Sequence, residues 1–363
     1  MRIIQALPTL AFGDAVGNDA LAIRDMIAEM GYETDIYAEN IDRRLPEGSA
    51  KPVAAMPLLK PEDILIYHGS TGTKMNDDLP GYGGKKMMIY HNVTPPEFFL
   101  GYSDAAVELT ERGLAGFRAL KDQFDYCVGV SEFDRQDLLK MGYTCDTDVC
   151  PIVIPFSDYD REPDPEVIGR YRGDGWVNLL FVGRLAPNKK QEDVIRAFHR
   201  YHRYYNPKSR LFLVGSDSGM EVYSGRLRRY AEMLGIGERV IFPGHISFRA
   251  ILAYYRLADV FVCMSEHEGF GVPIVEAMYF GKPIVAYRAA AVPETLGKAG
   301  LLLDSKEPEL AAAAIDRILR DEALRGYFEK ERNKKLQEYR YESVKKRMTA
   351  CIEKMLRMPE KSA

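Results

Sequence analysis

Along this chain, short continuously apolar runs alternate with longer stretches whose apolar residues recur at helical spacing. Runs such as Ile64–Tyr67, Met87–Tyr90 and Val177–Val182 are too short for helices and predict strands covered on both faces. Stretches such as Gln191–Tyr204 and Phe248–Arg256 keep apolar residues on one side and charges on the other, and predict helices packed on a sheet. In the first half the expected strands are Arg2–Leu7, Thr34–Tyr37, Ile64–Tyr67, Met87–Tyr90, Tyr126–Val130 and Val149–Ile154. Asp19–Met30 and Phe133–Met141 are expected as helices between them. A Pro- and Asp-rich stretch, Pro155 to Pro165, then reads as a linker. A second series follows: Val177–Val182, Arg210–Val214, Val240–Phe242, Val260–Met264, Pro283–Ala286 and Gly300–Leu303. Its helices include Gln191–Tyr204, Gly225–Leu234, Phe248–Arg256 and Pro308–Leu319.

Alternation of strand and helix is the pattern of parallel α/β sheets. The expected fold class is therefore α/β, with two Rossmann-like doubly wound domains facing a cleft. The expected boundaries are 1–158 for the first domain and 159–340 for the second. Residues 341–363 form a last helix with Val344, Met348, Cys351, Ile352 and Met355 on one face, expected to cross back to the first domain. At 363 residues the chain is long enough for two separate cores.

Composition narrows the setting. No apolar run approaches the roughly 18 residues of a membrane span. The chain opens on the expected strand Arg2–Leu7, with no room for a signal peptide before it. Five cysteines without a CxxC pair predict a reduced, cytoplasmic protein without a structural zinc site. Charge is unevenly spread: residues 1–160 hold 14 Lys and Arg against 26 Asp and Glu, leaving 35 against 27 in the remainder. The acidic first half argues against docking on nucleic acid or anionic lipid, so membrane association is expected to be peripheral at most. The basic second half suits an anionic ligand.

The chemistry concentrates in Glu268-Gly269-Phe270-Gly271-Val272-Pro273-Ile274-Val275-Glu276. Gly269 and Gly271 let the backbone come close to a ligand, and Pro273 suits the first turn of a helix. That helix is expected from Pro273 to Phe280, stopped by Gly281-Lys282-Pro283. An anion before its N-terminus meets unpaired N–H groups and about half a positive charge. The two carboxylates, eight positions apart, are then free to hold hydroxyls, as on a sugar. Upstream, the strand Val177–Val182 runs into Gly183 and sets Arg184 and Lys189 five residues apart in a loop. A guanidinium grips phosphate with two parallel hydrogen bonds and a lysine adds a compact charge.

These segments together resemble one family. Gly183-Arg184-Leu185 with Lys189, Ser265 to Pro273, Glu276-Ala277-Met278, Val240-Ile241-Phe242-Pro243-Gly244 and Val292-Pro293-Glu294-Thr295 are similar to a family-4 retaining glycosyltransferase of the GT-B fold. The matches span roughly residues 177–303. Ala289-Ala290-Ala291 departs from the pattern, since relatives often carry glycines there. The resemblance implies a nucleoside-diphosphate sugar donor and neither metal nor other cofactor. It implies that Arg184 and Lys189 hold the diphosphate, Glu276 the ribose and Glu268 the transferred sugar. Gly183 and the backbone of Gly269, Phe270, Gly271 and Val272 would line the donor, with Ile246 near the base.

In the first half, Gly13-Asp14-Ala15-Val16-Gly17 follows the first strand, and lacks the glycine spacing of a dinucleotide fingerprint. By resemblance this loop, with Gly17 as a donor contact, closes on the donor diphosphate or the acceptor; a purely structural turn is the alternative. His91 ends the strand Met87–Tyr90 and, again by resemblance, contacts the donor sugar. His68 ends the strand before it and could line an acceptor pocket, or serve only as a packed residue. The aromatics of Glu97-Phe98-Phe99-Leu100-Gly101-Tyr102 face the same choice between acceptor and core. The expected acceptor is a glycan, a lipid-linked saccharide or a small molecule. A nucleotide-sugar epimerase, a phosphorylase on the same fold and a catalytically silent sugar-nucleotide-binding subunit are the alternatives.

Overall fold

The computed structural model describes residues 1–359. Residues 360–363, the end of the stretch expected as the returning helix, lie outside the described residues. The chain packs as two compact units, one of Met1–Pro96, Val107–Pro155 and the residues from Glu338 onward, the other of Glu97–Ala106 and Phe156–Gln337.

The first unit is built on a parallel sheet of β1 (Ile3–Leu10), β2 (Ile36–Ile41), β3 (Lys51–Pro52), β4 (Ile64–Gly69), β5 (Lys85–Tyr90), β6 (Tyr126–Gly129) and β7 (Asp146–Val149), in the order β3-β2-β1-β4-β5-β6-β7. β1 outruns its expected end and passes through Pro8. It pairs with β4 only from Ile3 to Ala6, so from Leu7 onward one side of β1 is open and a missing N–H is tolerated. Strand order reverses between β1 and β4, which makes their carboxyl ends the place where such sheets bind ligands.

Two expectations for this unit need correcting. The helix expected from Asp19 runs from Ala15 to Glu29, because the Asp14 carboxylate accepts from the N–H groups of Val16 and Gly17 and caps it four residues early. The strand expected at Val149–Ile154 is instead β7, ending at Val149. Beyond it, Cys150 to Ile154 is buried but unpaired as a strand: Pro151 has no N–H to give, and Val153 N donates to the Asp19 carboxylate at 2.8 Å. Helix Tyr341–Arg357 buries Val344, Met348, Cys351, Ile352 and Met355 in this unit, with Lys354 Nζ 2.8 Å from an Asp148 carboxylate oxygen. The returning helix is thus present, and its apolar face is the one its spacing indicated.

The second unit holds β8 (Val177–Val182), β9 (Ser209–Val214), β10 (Val240–Gly244), β11 (Val260–Cys263), β12 (Ile284–Tyr287) and β13 (Leu301–Leu303), parallel and in the order β10-β9-β8-β11-β12-β13. Its core gathers Leu180, Phe212, Phe261, Ile284 and Ala286 from the sheet with Tyr254, Tyr255, Ala277 and Met278 from helices. Here the order reverses between β8 and β11, so the loops after these strands leave the sheet side by side. The segment Glu97–Ala106, read from sequence as part of the first domain, packs in this unit. Tyr102 meets Tyr223 edge-on at 5.2 Å and accepts from Arg226 at 2.9 Å, while Phe98 lies 6.1 Å from the His267 ring. The expected linker is also partly structured: Phe156–Tyr159 is a helical turn, and Asp164 caps a helix from Pro165 to Tyr171.

Candidate active site

The loop after β8 begins at Gly183 and tightens into a 3₁₀ turn at Pro187–Lys189, leaving Lys190 left-handed at φ 52° before the helix Gln191–Tyr204. Its backbone is held from two sides. A Cβ at Gly215 would come within 2.0 Å of the Gly183 carbonyl oxygen, so glycine at 215 is what allows the loops after β8 and β9 to touch. Gln191 Nε2 donates to the Arg184 carbonyl at 3.0 Å, and Gln191 N donates to the Tyr223 hydroxyl at 3.1 Å. The Arg184 guanidinium itself makes no hydrogen bond or ion pair among the described residues, and desolvation lowers its pKa. It remains a cation all the same.

The loop after β11 runs beside it. Glu266 N donates to the Asn188 carbonyl at 2.9 Å and Asn188 Nδ2 to the His267 carbonyl at 3.1 Å, tying the two loops together. Across this seam Lys189 Nζ lies 2.5 Å from Glu268 Oε2, both side chains largely buried. His267 is pushed down to about 4, first by burial and then by Lys189, so it is neutral near pH 7. Gly271 then turns left-handed at φ 94° and starts the helix Val272–Tyr279, with Pro273 in its first turn. Thr295 Oγ1 donates to the Phe270 carbonyl at 2.5 Å, and Ala291 N to the Glu268 carbonyl at 3.2 Å, so the segment after β12 braces this loop. Within it Ala290 has φ 47°, a conformation that favours glycine. The alanine run noted in the sequence therefore places a Cβ where the backbone disfavours one.

Glu276, on the second turn of that helix, is held by two phenols. The Tyr159 hydroxyl donates to Oε1 at 2.9 Å and the Tyr255 hydroxyl to Oε2 at 2.6 Å. Burial raises the Glu276 pKa and the two hydrogen bonds oppose the rise. Each carboxylate oxygen retains a lone pair for a further donor. Sequence reasoning missed both tyrosines. Tyr255 lay inside the expected helix Phe248–Arg256, where nothing singled it out. Tyr159 sat in the expected linker, where the spacing of Phe156 and Tyr159 was the available signal. Ile246 packs at the edge of the core that holds Tyr255 and Ile274. The second unit thus brings together Gly183, Arg184, Lys189, Glu268, the Gly269–Val272 turn and Glu276 along the adjacent ends of β8 and β11.

Gly17, His68 and His91 belong to the first unit. Gly17 lies within the first helix, and a Cβ there would come 2.8 Å from the Ala11 carbonyl oxygen, so packing alone accounts for the glycine. His68, at the end of β4, is fully buried and pushed down to about 3 by desolvation. His91, just past β5, lies with its Nε2 3.0 Å from His68 Nδ1, the rings stacked at 5.3 Å. Burial holds the His91 pKa well below the ordinary value. Asp19 lies close by, and Asp19, His68 and His91 could offer three metal-ligand atoms within 4.8 Å of one another. No helix among the described residues is long and apolar enough to cross a membrane.

Residues 174–341 match the family described as Glycosyl transferases group 1. A D-inositol 3-phosphate glycosyltransferase of Acidothermus cellulolyticus is 36% identical over 163 residues, 42% of this chain and 36% of that protein. An Escherichia coli O-antigen chain mannosyltransferase B is 25% identical over 319 residues, 83% of this chain and 80% of that protein. The chain spans about a third to a half of the length of the first three curated relatives it matches. Among solved structures, Anabaena HepE in complex with UDP-glucose superposes with a TM-score of 0.74 at 18% identity, covering 98% of this chain and all of that one. Over residues 174–341 the chain therefore matches the Glycosyl transferases group 1 family, and its two parallel-sheet units have the GT-B fold.

Proposed function

We propose that this protein transfers a sugar from a nucleoside-diphosphate sugar to an acceptor hydroxyl, with retention at the anomeric carbon. The observation that carries the reading is the pairing of two loops at the switch point of the second sheet. One supplies Arg184 and Lys189, and the other supplies Glu268 and leads into the N-terminus of helix Val272–Tyr279. Cations and a helix N-terminus suit a diphosphate, and carboxylates suit the hydroxyls on either side of it.

In this reading Glu276, fixed by Tyr159 and Tyr255, accepts from the ribose hydroxyls, and Ile246 flanks the base. Gly183 and the turn Gly269–Val272 give the backbone close access to phosphate and sugar. Lys189 and Glu268 neutralise one another across the seam. A diphosphate competes for the lysine and releases the Glu268 carboxylate for hydroxyls of the transferred sugar. As the C1–O bond breaks, its electron pair stays on the diphosphate, where Arg184 and Lys189 meet the growing charge. The acceptor oxygen bonds to C1 on the face the diphosphate leaves, and the acceptor proton passes to the departing phosphate oxygen. Preorganised charge of this kind is the largest single contribution in many enzymes. The acceptor is a glycan, a lipid-linked saccharide or a small molecule; the relatives named as a D-inositol 3-phosphate glycosyltransferase and an O-antigen chain mannosyltransferase support that range.

The test is a thermal-shift and mass-spectrometric screen of the purified protein against UDP-, GDP- and ADP-sugars, with Glu276→Ala alongside. Stabilisation by one donor, lost in the variant, is the expected result. Stabilisation by none would favour a silent or partner-dependent subunit. Conversion of the donor sugar into its epimer without an acceptor would favour an epimerase.

A further inference from the structure

Beside the pair Lys189–Glu268, the second unit carries a further row of charges that the transfer chemistry above does not use. Lys190, the next residue in the loop after β8, is left-handed at φ 52°, where an L side chain is strained and a glycine is not. Its ammonium lies 3.3 Å from Glu266 Oε2 and 3.9 Å from Glu192 Oε1. Glu266 stands two residues before Glu268 in the loop after β11, and its other oxygen, Oε1, accepts from Lys306 Nζ at 2.5 Å. The two oxygens of one carboxylate are thus held by lysines from two different loops.

Lys306 comes from the segment between β13 and the helix Pro308–Arg320, and its side chain is largely buried. Its Nζ also donates to Asp193 Oδ2 at 3.1 Å, in the first turn of the helix Gln191–Tyr204. The same atom lies 4.6 Å from the centre of the Tyr287 ring, at the end of β12. Asp193 Oδ1 accepts from Arg196 at 3.1 Å, so Asp193 too is held on both oxygens. Burial alone would raise the Glu266 pKa, but the hydrogen bond and charge of Lys306 and the charge of Lys190 take it below its ordinary value. Glu266 therefore stays an anion at neutral pH and keeps both lysines. A lysine fixed by three partners from three elements has little freedom left. A strained backbone kept in place beside a charged site points to a task for the side chain that keeps it.

We infer that Lys190 and Lys306 are positioning residues: through Glu266 they fix the loop after β11 so that Glu268 stands opposite Lys189. In the transferase reading a diphosphate draws Lys189 away and frees Glu268 for the sugar. The outer row then keeps Glu268 in place after its own partner has turned to the ligand. That consequence rests on the transferase reading; the positioning of Glu268 does not.

The experiment is a double-mutant cycle in the full chain, read as Tm. Lys189→Met and Glu268→Gln are made singly and together in wild type, Lys190→Gly, Lys306→Met and Lys306→Arg. A coupling of about 3 °C is expected in wild type and in Lys306→Arg, falling to about 1 °C in Lys190→Gly and Lys306→Met. Glu266→Gln removes the charge that both lysines hold; it should act as they do, and it keeps the test open if Lys306→Met does not fold. Titration of UDP, GDP, UDP-glucose and GDP-mannose into wild type and these outer-row variants then reads the consequence for a ligand. Lys190→Gly and Lys306→Met should weaken the sugar nucleotide about tenfold more than its nucleoside diphosphate, the size of a hydrogen bond to a charged group. A coupling that keeps its wild-type size in Lys190→Gly, Lys306→Met and Glu266→Gln would overturn the inference. A coupling that is lost while sugar nucleotide and nucleoside diphosphate weaken alike would uphold the positioning and take the sugar away from Glu268. If neither sugar nucleotide binds wild type, the transferase reading fails, and the cycle still decides the inference.

Discussion

At the ends of β8 and β11 the second unit displays Arg184, Lys189 and Glu268 on loops, whereas in the first unit His68, at the end of β4, and His91, just past β5, turn inward onto one another and onto Gln5 within β1. Both places are switch points of parallel sheets, so the topology offers each unit the same opportunity. In the second unit that place carries formal charges, set by short-range motifs in which loop, turn and helix follow one another in sequence. In the first it carries a neutral buried histidine pair whose hydrogen-bond partners lie dozens of residues away in sequence. Charged loops can be recognised locally, while a proton's position depends on contacts that only the folded chain creates.

The sharpest way to break the contrast is through the buried acid of the first unit. Asp19 is raised to about 7 by burial, so the folded state binds its proton more tightly than the unfolded state does. Its contribution to stability is full below the ordinary carboxylate pKa and is lost as pH rises from about 4 through 7. Across that window the loss is on the order of 4 kcal/mol. Asp19→Asn keeps an oxygen for Val153 N and should remove this slope. Denaturant melts of wild type and variant at pH 4.5 and 7.5 check it, and parallel pH profiles would show that Asp19 is ionised throughout.

In the second unit the largest expected effect is on turnover rather than stability. Arg184→Ala should lower kcat/KM for the donor by a factor equivalent to about 3 kcal/mol, with little change in Tm because the guanidinium holds no partner among the described residues. Lys189→Ala should lose turnover and also Tm, because it leaves Glu268 without its counter-ion. Equal Tm losses in the two variants would erase the distinction between a displayed and a paired cation. Next in size, Tyr255→Phe removes one of the two phenols on Glu276 and should destabilise the protein by about 2 kcal/mol, the scale of a hydrogen bond to a charged group. Donor KM should rise in the same variant, which steady-state kinetics and a chemical melt check together. The smallest effect concerns the alanine run: Ala290→Gly relieves a left-handed alanine and should stabilise by about 1 kcal/mol in the same melt.

Much of the fold was legible because period and length agreed. The strand Val177–Val182 and the helix Gln191–Tyr204 have the same bounds in sequence and structure, and the last helix buries the five residues its spacing marked. Errors arose where a side chain took over a backbone partner, as Asp14 does in capping the first helix and Asp19 does for Val153 N. At the candidate site, the charged residues stood out because Gly and Pro punctuate their loops. Tyr159 and Tyr255 did not, because their role lies in a hydroxyl that meets Glu276 from 117 and 21 residues away. Tyr102 was marked with its neighbouring aromatics as an acceptor contact or a packed residue, but nothing in its own segment shows that its ring packs on Tyr223.

The central claim is that the joined loops of the second unit hold a nucleoside diphosphate by charge and its ribose by Glu276. Its most direct test is calorimetric titration of the best-binding nucleoside diphosphate into wild type, Arg184→Ala and Glu276→Ala. The account predicts binding weakened at least tenfold in each variant. Binding that is equally tight in all three proteins would contradict it.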